Sequence, residues 1–220
     1  IVLKNAQASV VSQGDVGFIS GAVLEEGAQL SIASVAGSLG GIAGMTVRSS
    51  KVRLAASGGI ESVGDVFVRG GEVVIEAEGS LGALGAIDAA DDAEVTVASL
   101  GGSISSIASI KASDSAVSVS AATTIGAVGD IELSGSDFSL EAGRDIDVLG
   151  AVAARDGAAV SVRSVRGAIG SIESIQAEGS SVSLSAWDGF KEIGSIKASG
   201  GSTLSLQSSL SLGSIGSLLI

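Results

Sequence analysis

The chain has 220 residues, of which 45% are hydrophobic but only 2% aromatic, so its interior has to be built from Val, Ile, Leu and Ala. A net charge of −12 argues against a nucleic-acid or anionic-membrane partner, whose phosphates need a cationic surface. The sequence contains neither Cys nor His, which excludes disulfides, thiolate metal sites and the Ser–His and Cys–His nucleophile systems.

A five-residue phrase of alternating aliphatic and polar residues returns ten times along the chain. In its clearest copy, Val117 and Val119 are the aliphatic positions, Ser118 and Ser120 are the polar ones, and Ala121 closes the phrase. Alternation with period two predicts a half-buried strand, and a fixed spacing of 21 or 22 residues predicts a solenoid. The ten copies begin at Ala8, Leu30, Val52, Val73, Val95, Val117, Phe138, Val160, Val182 and Leu204.

The second part of each repeat places aliphatic residues three apart, as in Ile104, Ile107 and Ile110. A period of three fits neither a straight strand nor an α-helix, and it indicates short strands joined at bends. Glycines within this part are expected to permit the backbone angles that such bends demand. These glycines are Gly64, Gly126, Gly129, Gly170 and Gly194.

A polar turn such as Ala154–Gly157 closes each repeat, so one repeat corresponds to one coil. The sequence therefore predicts an all-β protein, a right-handed parallel β-helix of about ten coils with 21–22 residues per coil. With coils about 4.8 Å apart, the rod is roughly 50 Å long. Residues 1–220 are expected to form a single β-helical repeat block and, because the chain opens without Met, a fragment of a longer protein.

Stretches such as Ser139–Val148 and Leu204–Leu206 resemble the repeats of filamentous haemagglutinin and related two-partner-secretion exoproteins. The resemblance covers essentially the whole chain, but its motifs are compositional and periodic. It implies a secreted or surface-bound bacterial adhesin that attaches to a host cell receptor or glycan and is exported by an outer-membrane partner recognising a separate N-terminal domain. The chain lacks the Arg-Gly-Asp order of integrin ligands, since Arg155-Asp156-Gly157 is a different sequence.

Several acidic residues are candidates for chemistry, each with a plainer structural interpretation. Asp130, Asp145 and Asp147 are conceivable carboxylates for polysaccharide cleavage, although the even coils and the single Trp argue against a sugar-binding cleft. Gly-Asp pairs end at Asp15, Asp65 and Asp130, but without the calcium-binding nonapeptide they are favoured as turn and corner residues. Seven acids between Glu72 and Glu94 indicate a solvated face rather than a docking patch.

The candidate binding residues are Arg144, Arg166 and Arg163. Arg144 and Arg166 stand six residues after the start of their copies, so they are expected to stack about 5 Å apart, an arrangement suited to bidentate binding of a carboxylate or sulfated glycan. Arg155 is expected nearby. The favoured interpretation is surface ion pairing, because Asp145, Asp147 and Asp156 interleave with the arginines and are expected to neutralise them.

Trp187 follows Ala186, the last residue of the ninth copy of the repeated phrase, and is expected to cover a bulge beside the core. Together these features predict a structural and adhesive rod without enzymatic activity, metal or cofactor. The alternative function is a β-helical protein that binds or degrades polysaccharides, in the manner of a tailspike or a lyase.

Overall fold

The computed structural model describes residues 1–220 and contains 19 β-strands in one sheet. Every strand pairing is parallel, and each strand pairs with the equivalent strand about 22 residues along the chain, as in Val117↔Val95 and Phe138↔Val117. The predicted parallel β-helical stack of about ten coils is therefore confirmed. The structure contains no helix long and apolar enough to cross a membrane.

The repeated phrase forms the first strand of every coil. Its aliphatic residues point inward and the residue at its second position points outward, so Val117 and Val119 are buried whereas Ser118 is exposed. The first strands are β2 (Gln7–Ser12), β4 (Gln29–Ser34), the C-terminal parts of β5 (Leu39–Ala56), β6 (Ile60–Ala77) and β7 (Leu81–Ser99), then β9 (Ala116–Ala121), β12 (Asp137–Ala142), β14 (Ala159–Ser164), β16 (Ser181–Ala186) and β18 (Thr203–Ser208).

The three aliphatic residues spaced three apart, such as Ile104, Ile107 and Ile110, form the rest of the coil, and we call them the triplet. The chain bends once after the first member of the triplet and once after the second. After the third member the chain runs straight again, as at Ile110 and Ala112, which are both buried. This part comprises β1 (Val2–Lys4), β3 (Ala22–Glu25), the N-terminal parts of β5, β6 and β7, then β8 (Ile104–Ser113), β10 (Ile125–Val128), β11 (Ile131–Ser134), β13 (Ile146–Arg155), β15 (Ala168–Glu178), β17 (Gly189–Ser199) and β19 (Leu212–Leu219).

Inward side chains stack into columns that make one hydrophobic cluster of 57 buried residues. Each aliphatic residue lies between its counterparts in the two neighbouring coils, as Val119 does between Val97 and Leu140. The burial of apolar surface in these columns stabilises the stack, and each coil depends on its neighbours for that burial. No buried side-chain polar atom lacks a hydrogen-bond partner.

The glycines of the triplet act differently from the sequence-based expectation. None of the five has a positive φ, so unusual backbone angles do not explain them. A Cβ atom on Gly129 would instead clash with the carbonyl oxygen of Ala108 in the preceding coil, and one on Gly64 with the carbonyl oxygen of Ala43. These glycines are needed because the backbones of adjacent coils approach closely at the bends.

The closing turns do require positive φ angles. Asp114 (φ 48°) and Asp156 (φ 56°) adopt the left-handed conformation, as does Gly179 (φ 56°) in the equivalent turn. Asp tolerates this conformation better than most residues with a side chain. The polar turns expected from the sequence therefore lie where they were predicted.

A longer period of 65 residues, or three coils, is superimposed on the coil repeat. Ser34, Ser99 and Ser164 are buried at the ends of their first strands, and each donates a hydrogen bond to a carbonyl oxygen of the preceding coil, at 2.8, 2.8 and 2.5 Å. We call the segment between the first strand and the triplet the first corner. It has four residues after these three serines and three residues in the other seven coils.

Candidate functional site

Arg144 and Arg166 lie at the first corners of neighbouring coils, with both side chains exposed. Val165 donates its backbone N–H to the carbonyl oxygen of Ala142, which places the two corners one above the other. The corner of Arg166 is one residue longer, so the arginines are adjacent but not in strict register. Arg163 points outward from the end of the strand that leads into this corner.

The expected neutralisation of these arginines by aspartates is wrong. Arg144 and Arg166 form no ion pair, and Arg163 pairs only with Glu141, at 3.8 Å between Nη1 and Oε2. The carboxylate of Asp145 accepts the backbone N–H of Ala168 at 2.8 Å and so remains at the corner backbone. Two cationic groups are therefore free to bind an external anion.

Arg155, expected beside the other arginines, lies elsewhere. It ends β13 at the closing turn, on the far side of the triplet from the first corner. Asp156 next to it accepts a hydrogen bond from the hydroxyl of Ser134 at 2.7 Å. The candidate cluster is therefore limited to Arg144, Arg163 and Arg166.

Trp187 joins this cluster, in contrast to its expected place over the core. Its side chain is 55% exposed, and its backbone N–H donates to the carbonyl oxygen of Ser164 at 3.3 Å. Trp187 therefore begins the first corner of its coil directly above Val165, the residue before Arg166. The sequence contained the necessary signal, because Val165 and Trp187 both follow the residue that ends a first strand.

The aspartates of the three Gly-Asp pairs, together with Asp145, cap the bends of the coils. Asp15 and Asp145 accept backbone N–H groups at first corners, whereas Asp65 and Asp130 accept those of Ala86 and Ala151 at the second triplet bend, with distances between 2.8 and 3.0 Å. Each carboxylate fits only because the following coil has a glycine there: Gly37, Gly85, Gly150 and Gly167. The favoured structural interpretation of these aspartates therefore agrees with their contacts. Asp65 and Asp130 do share a bend position, but three coils separate them.

Replacing Asp145 with alanine should destabilise the fold by about 1–3 kcal/mol, because the amide of Ala168 loses its acceptor. Asp145→Asn keeps an acceptor oxygen and should preserve most of the stability. Urea unfolding followed by circular dichroism measures both effects. Asp147→Ala, an exposed neighbour without a hydrogen-bond partner, is the matched control. Equal stability of the Asp145→Ala and Asp147→Ala variants would show that the cap has no energetic role.

Three of the seven acids of the stretch between Glu72 and Glu94 pair with cations from adjacent coils. Lys51 contacts Glu72 at 2.7 Å, Arg69 contacts Asp88 at 3.0 Å, and Arg53 pairs with Glu76. The hydrogen bond and charge of Glu72 raise the pKa of Lys51 above its ordinary value. Surface pairs of this kind contribute little stability. The stretch is therefore a solvated surface crossed by ion pairs.

The concave regions of the surface are open furrows that run across several coils. One crosses the first strands of the first four coils and is lined by Gln7, Gln29, Lys51, Arg53 and Glu72, among others. No cluster of three or more acidic side chains that could hold a metal ion is present. The exposed arginine and tryptophan side chains at the first corner are therefore the strongest candidate for a binding site.

No family model matches the chain, and no curated protein or solved structure shows significant similarity to it.

Proposed function

We propose that this chain is a rod-shaped adhesive segment of a secreted bacterial surface protein, which attaches to a receptor or glycan on host cells. The observation that carries the proposal is that Arg144, Arg166 and Trp187 lie at the first corners of three successive coils, all three exposed and neither arginine in an ion pair. Arg and Trp are the residue types most enriched among the dominant contacts of binding surfaces. Guanidinium groups bind carboxylates and sulfates bidentately, and an indole ring offers a flat apolar platform.

The rest of the molecule supports a role in reach and presentation. Ten coils about 4.8 Å apart make a rod of roughly 50 Å. Its continuous core of 57 residues provides rigidity, and the outward Ser118, Ser139 and Ser161 repeat one polar surface from coil to coil. A rod of this kind holds a binding site away from the surface to which it is anchored.

The sequence resemblance to two-partner-secretion adhesins supports the cellular part of the proposal. The parent protein would be secreted or held at the bacterial surface, after export by an outer-membrane partner that recognises a separate N-terminal domain. The net charge of −12 favours neither nucleic acid nor an anionic lipid surface as the partner. No catalytic step is proposed, because the carboxylates of Asp130 and Asp145 are engaged by backbone amides.

A binding screen with glycans and host cells tests the proposal. The double variant Arg144→Ala/Arg166→Ala should bind its ligand about 30- to 1,000-fold more weakly, since each of the two charge-assisted contacts contributes roughly 1–2 kcal/mol. The matched control, Arg48→Ala/Arg53→Ala, removes the same charge from arginines that pair with Glu25 and Glu76. Equal losses in both variants would indicate nonspecific attraction, and undiminished binding by the first would place the adhesive site elsewhere.

A further inference from the structure

Cations without an ion-pair partner occur only in the last third of the rod. Seven of the 12 Lys and Arg side chains form ion pairs, and these seven include all six cations before residue 143. Residues 1–142 carry six cations and 17 acids, a net charge of −11, whereas residues 143–220 carry six cations and seven acids, a net charge of −1. An external anion is therefore repelled by most of the rod and can approach its last third. The five free cations are Arg144, Arg155, Arg166, Lys191 and Lys197.

The corner that carries Arg166 bulges outward. The N–H of Trp187 binds the carbonyl oxygen of Ser164, and the N–H of Asp188 binds that of Gly167. Consecutive N–H groups of one coil thus bind carbonyl oxygens three residues apart in the preceding coil, whereas at the three-residue corner of the coil before it they bind carbonyl oxygens two residues apart. The extra residue of the four-residue corner is displaced outward, which is why the Arg166 side chain is exposed to a ligand.

The surface around the site accommodates one anionic group and not a chain of them. The first corners at residues 122–124 and 209–211, which flank the site, carry no charge. Asp145 lies beside the arginines, but its carboxylate is occupied by a backbone N–H. Asp188 is exposed next to Trp187 and would repel a second anionic group there. The part of a ligand that lies over Trp187 therefore has to be neutral.

The backbone at this site offers no edge to a peptide ligand. The strand that leads into the bulged corner, β14, is paired on both sides, with β12 and β16. An extended peptide therefore cannot bind here by strand addition. A saccharide needs no such edge, because the C–H face of a pyranose ring stacks on the flat apolar face of an indole ring. A carboxylate on the saccharide matches the planar fork of a guanidinium group.

We propose that the site binds a saccharide with a single carboxylate sugar, which lies along the rod. The carboxylate binds between Arg144 and Arg166, and the neighbouring neutral pyranose ring stacks on Trp187, one coil or about 5 Å toward the C-terminus. This inference rests on the proposed adhesive function and specifies its ligand. Long polyanions are disfavoured, because they would extend beyond the two cationic corners toward the acidic part of the rod.

Trp187 is the only tryptophan of the chain, so its fluorescence reports binding at this site directly. Sialyllactose and glucuronyl-lactose each join one carboxylate sugar to a neutral disaccharide, and at least one of them should change the emission in a saturable way. Lactose should bind about 30-fold more weakly, because it lacks the charged group. Heparin, a long polyanion, should bind no more tightly than the better probe. Equal binding of lactose, tighter binding of heparin, or unchanged emission with both probes would overturn the proposal.

Variants assign the two parts of the ligand, with binding measured by ligand-observed NMR. Arg144→Ala/Arg166→Ala should lower the affinity for the better probe to that for lactose. Trp187→Ala should lower it about tenfold and leave the affinity for the free acid sugar unchanged. Leu100→Ala, which removes a 60% exposed apolar side chain at the start of another first corner, is the matched control and should bind as the parent does.

The outcomes separate this inference from the proposed function. Host-cell binding that depends on Arg144 and Arg166, without binding of either probe, would leave the adhesive function in place and overturn the saccharide assignment. A Trp187→Ala protein that binds the better probe as the parent does would overturn the stacking of the neutral ring. Loss of both cell binding and probe binding in the parent protein would overturn both proposals.

Discussion

Replacing Val119 with aspartate is expected to unfold several coils at once. Val119 is 1% exposed and stacks between Val97 and Leu140 in the inward column of the first strands. The substitution removes a buried aliphatic side chain and introduces a carboxyl group with no hydrogen-bond partner, at a combined cost of about 3–5 kcal/mol. Because adjacent coils depend on each other for burial, the loss should spread beyond the mutated coil.

Hydrogen exchange measured by mass spectrometry would show the extent of this unfolding. We expect the coils that begin at Val95, Val117 and Phe138 to lose protection together. Ser118→Asp, in which the new carboxylate points outward from the same strand, is the matched control and should retain full protection. A Val119→Asp protein with unchanged exchange and thermal unfolding would contradict the inward assignment of this column.

The Val119→Asp defect should also depend on pH. Burial raises the pKa of the new carboxyl in the folded state above its unfolded value of about 3.9. The folded state therefore binds the proton more tightly, so the deficit relative to the parent should be complete above the folded-state pKa, shrink as the pH falls from that pKa to about 4, and stay at its minimum below about pH 4. The inserted carboxyl of Ser118→Asp remains solvated and should show little such dependence.

Gly129→Ala is expected to destabilise the rod by about 2–3 kcal/mol, although it adds only one methyl group. The new Cβ would overlap the carbonyl oxygen of Ala108 in the preceding coil, where the obstructing atom is backbone and cannot rotate away. The overlap can be relieved only if the two coils separate locally. That separation would weaken the hydrogen bond from the Gly129 N–H to the carbonyl oxygen of Ile107, whose N–O distance is 2.9 Å in the parent protein. Denaturant unfolding monitored by circular dichroism measures the effect.

Gly17→Ala is the matched control for Gly129→Ala. A Cβ on Gly17 would have no atom within 4 Å, and the residue has no positive φ, so alanine fits without strain. Its free energy of unfolding should be unchanged or slightly higher than that of the parent protein, because alanine reduces the conformational entropy of the unfolded chain. If both variants lost equal stability, backbone flexibility rather than close approach would explain the requirement for glycine.

Whether a side chain of the first strand points inward or outward was predictable from the sequence, because successive side chains of a strand point to opposite faces. Val119 and Ser118 alternate with period two, and a one-residue slip would bury the serines and expose the aliphatic side chains. The three-residue spacing of Ile104, Ile107 and Ile110 likewise revealed the bends. The reason for Gly129 was not predictable, since the obstructing carbonyl belongs to a residue 21 positions earlier and becomes a neighbour only when coils stack.

The candidate site was only partly predictable for a similar reason. Counting residues placed Arg144 and Arg166 at one corner, but it suggested pairing with Asp145, whose carboxylate instead binds the amide of Ala168. That bond depends on Gly167, which leaves room for the carboxylate in the next coil. The prediction for Trp187 was wrong because the residue was interpreted as covering a bulge, although it follows the end of a first strand in the same way as Val165.

The pairing of capping side chains with glycines constrains how such a rod can change length. Asp15, Ser80 and Asp145 cap first corners 65 residues apart, and each has its glycine, Gly37, Gly102 or Gly167, in the following coil. Removing the coil that follows Ser80 or the coil that follows Asp145 would set the cap against Thr123 or Asp188, both of which have a side chain. An in-frame duplication or deletion of 65 codons preserves every such pair. Recombination should therefore lengthen or shorten the gene in units of three coils, about 14 Å of rod at a time.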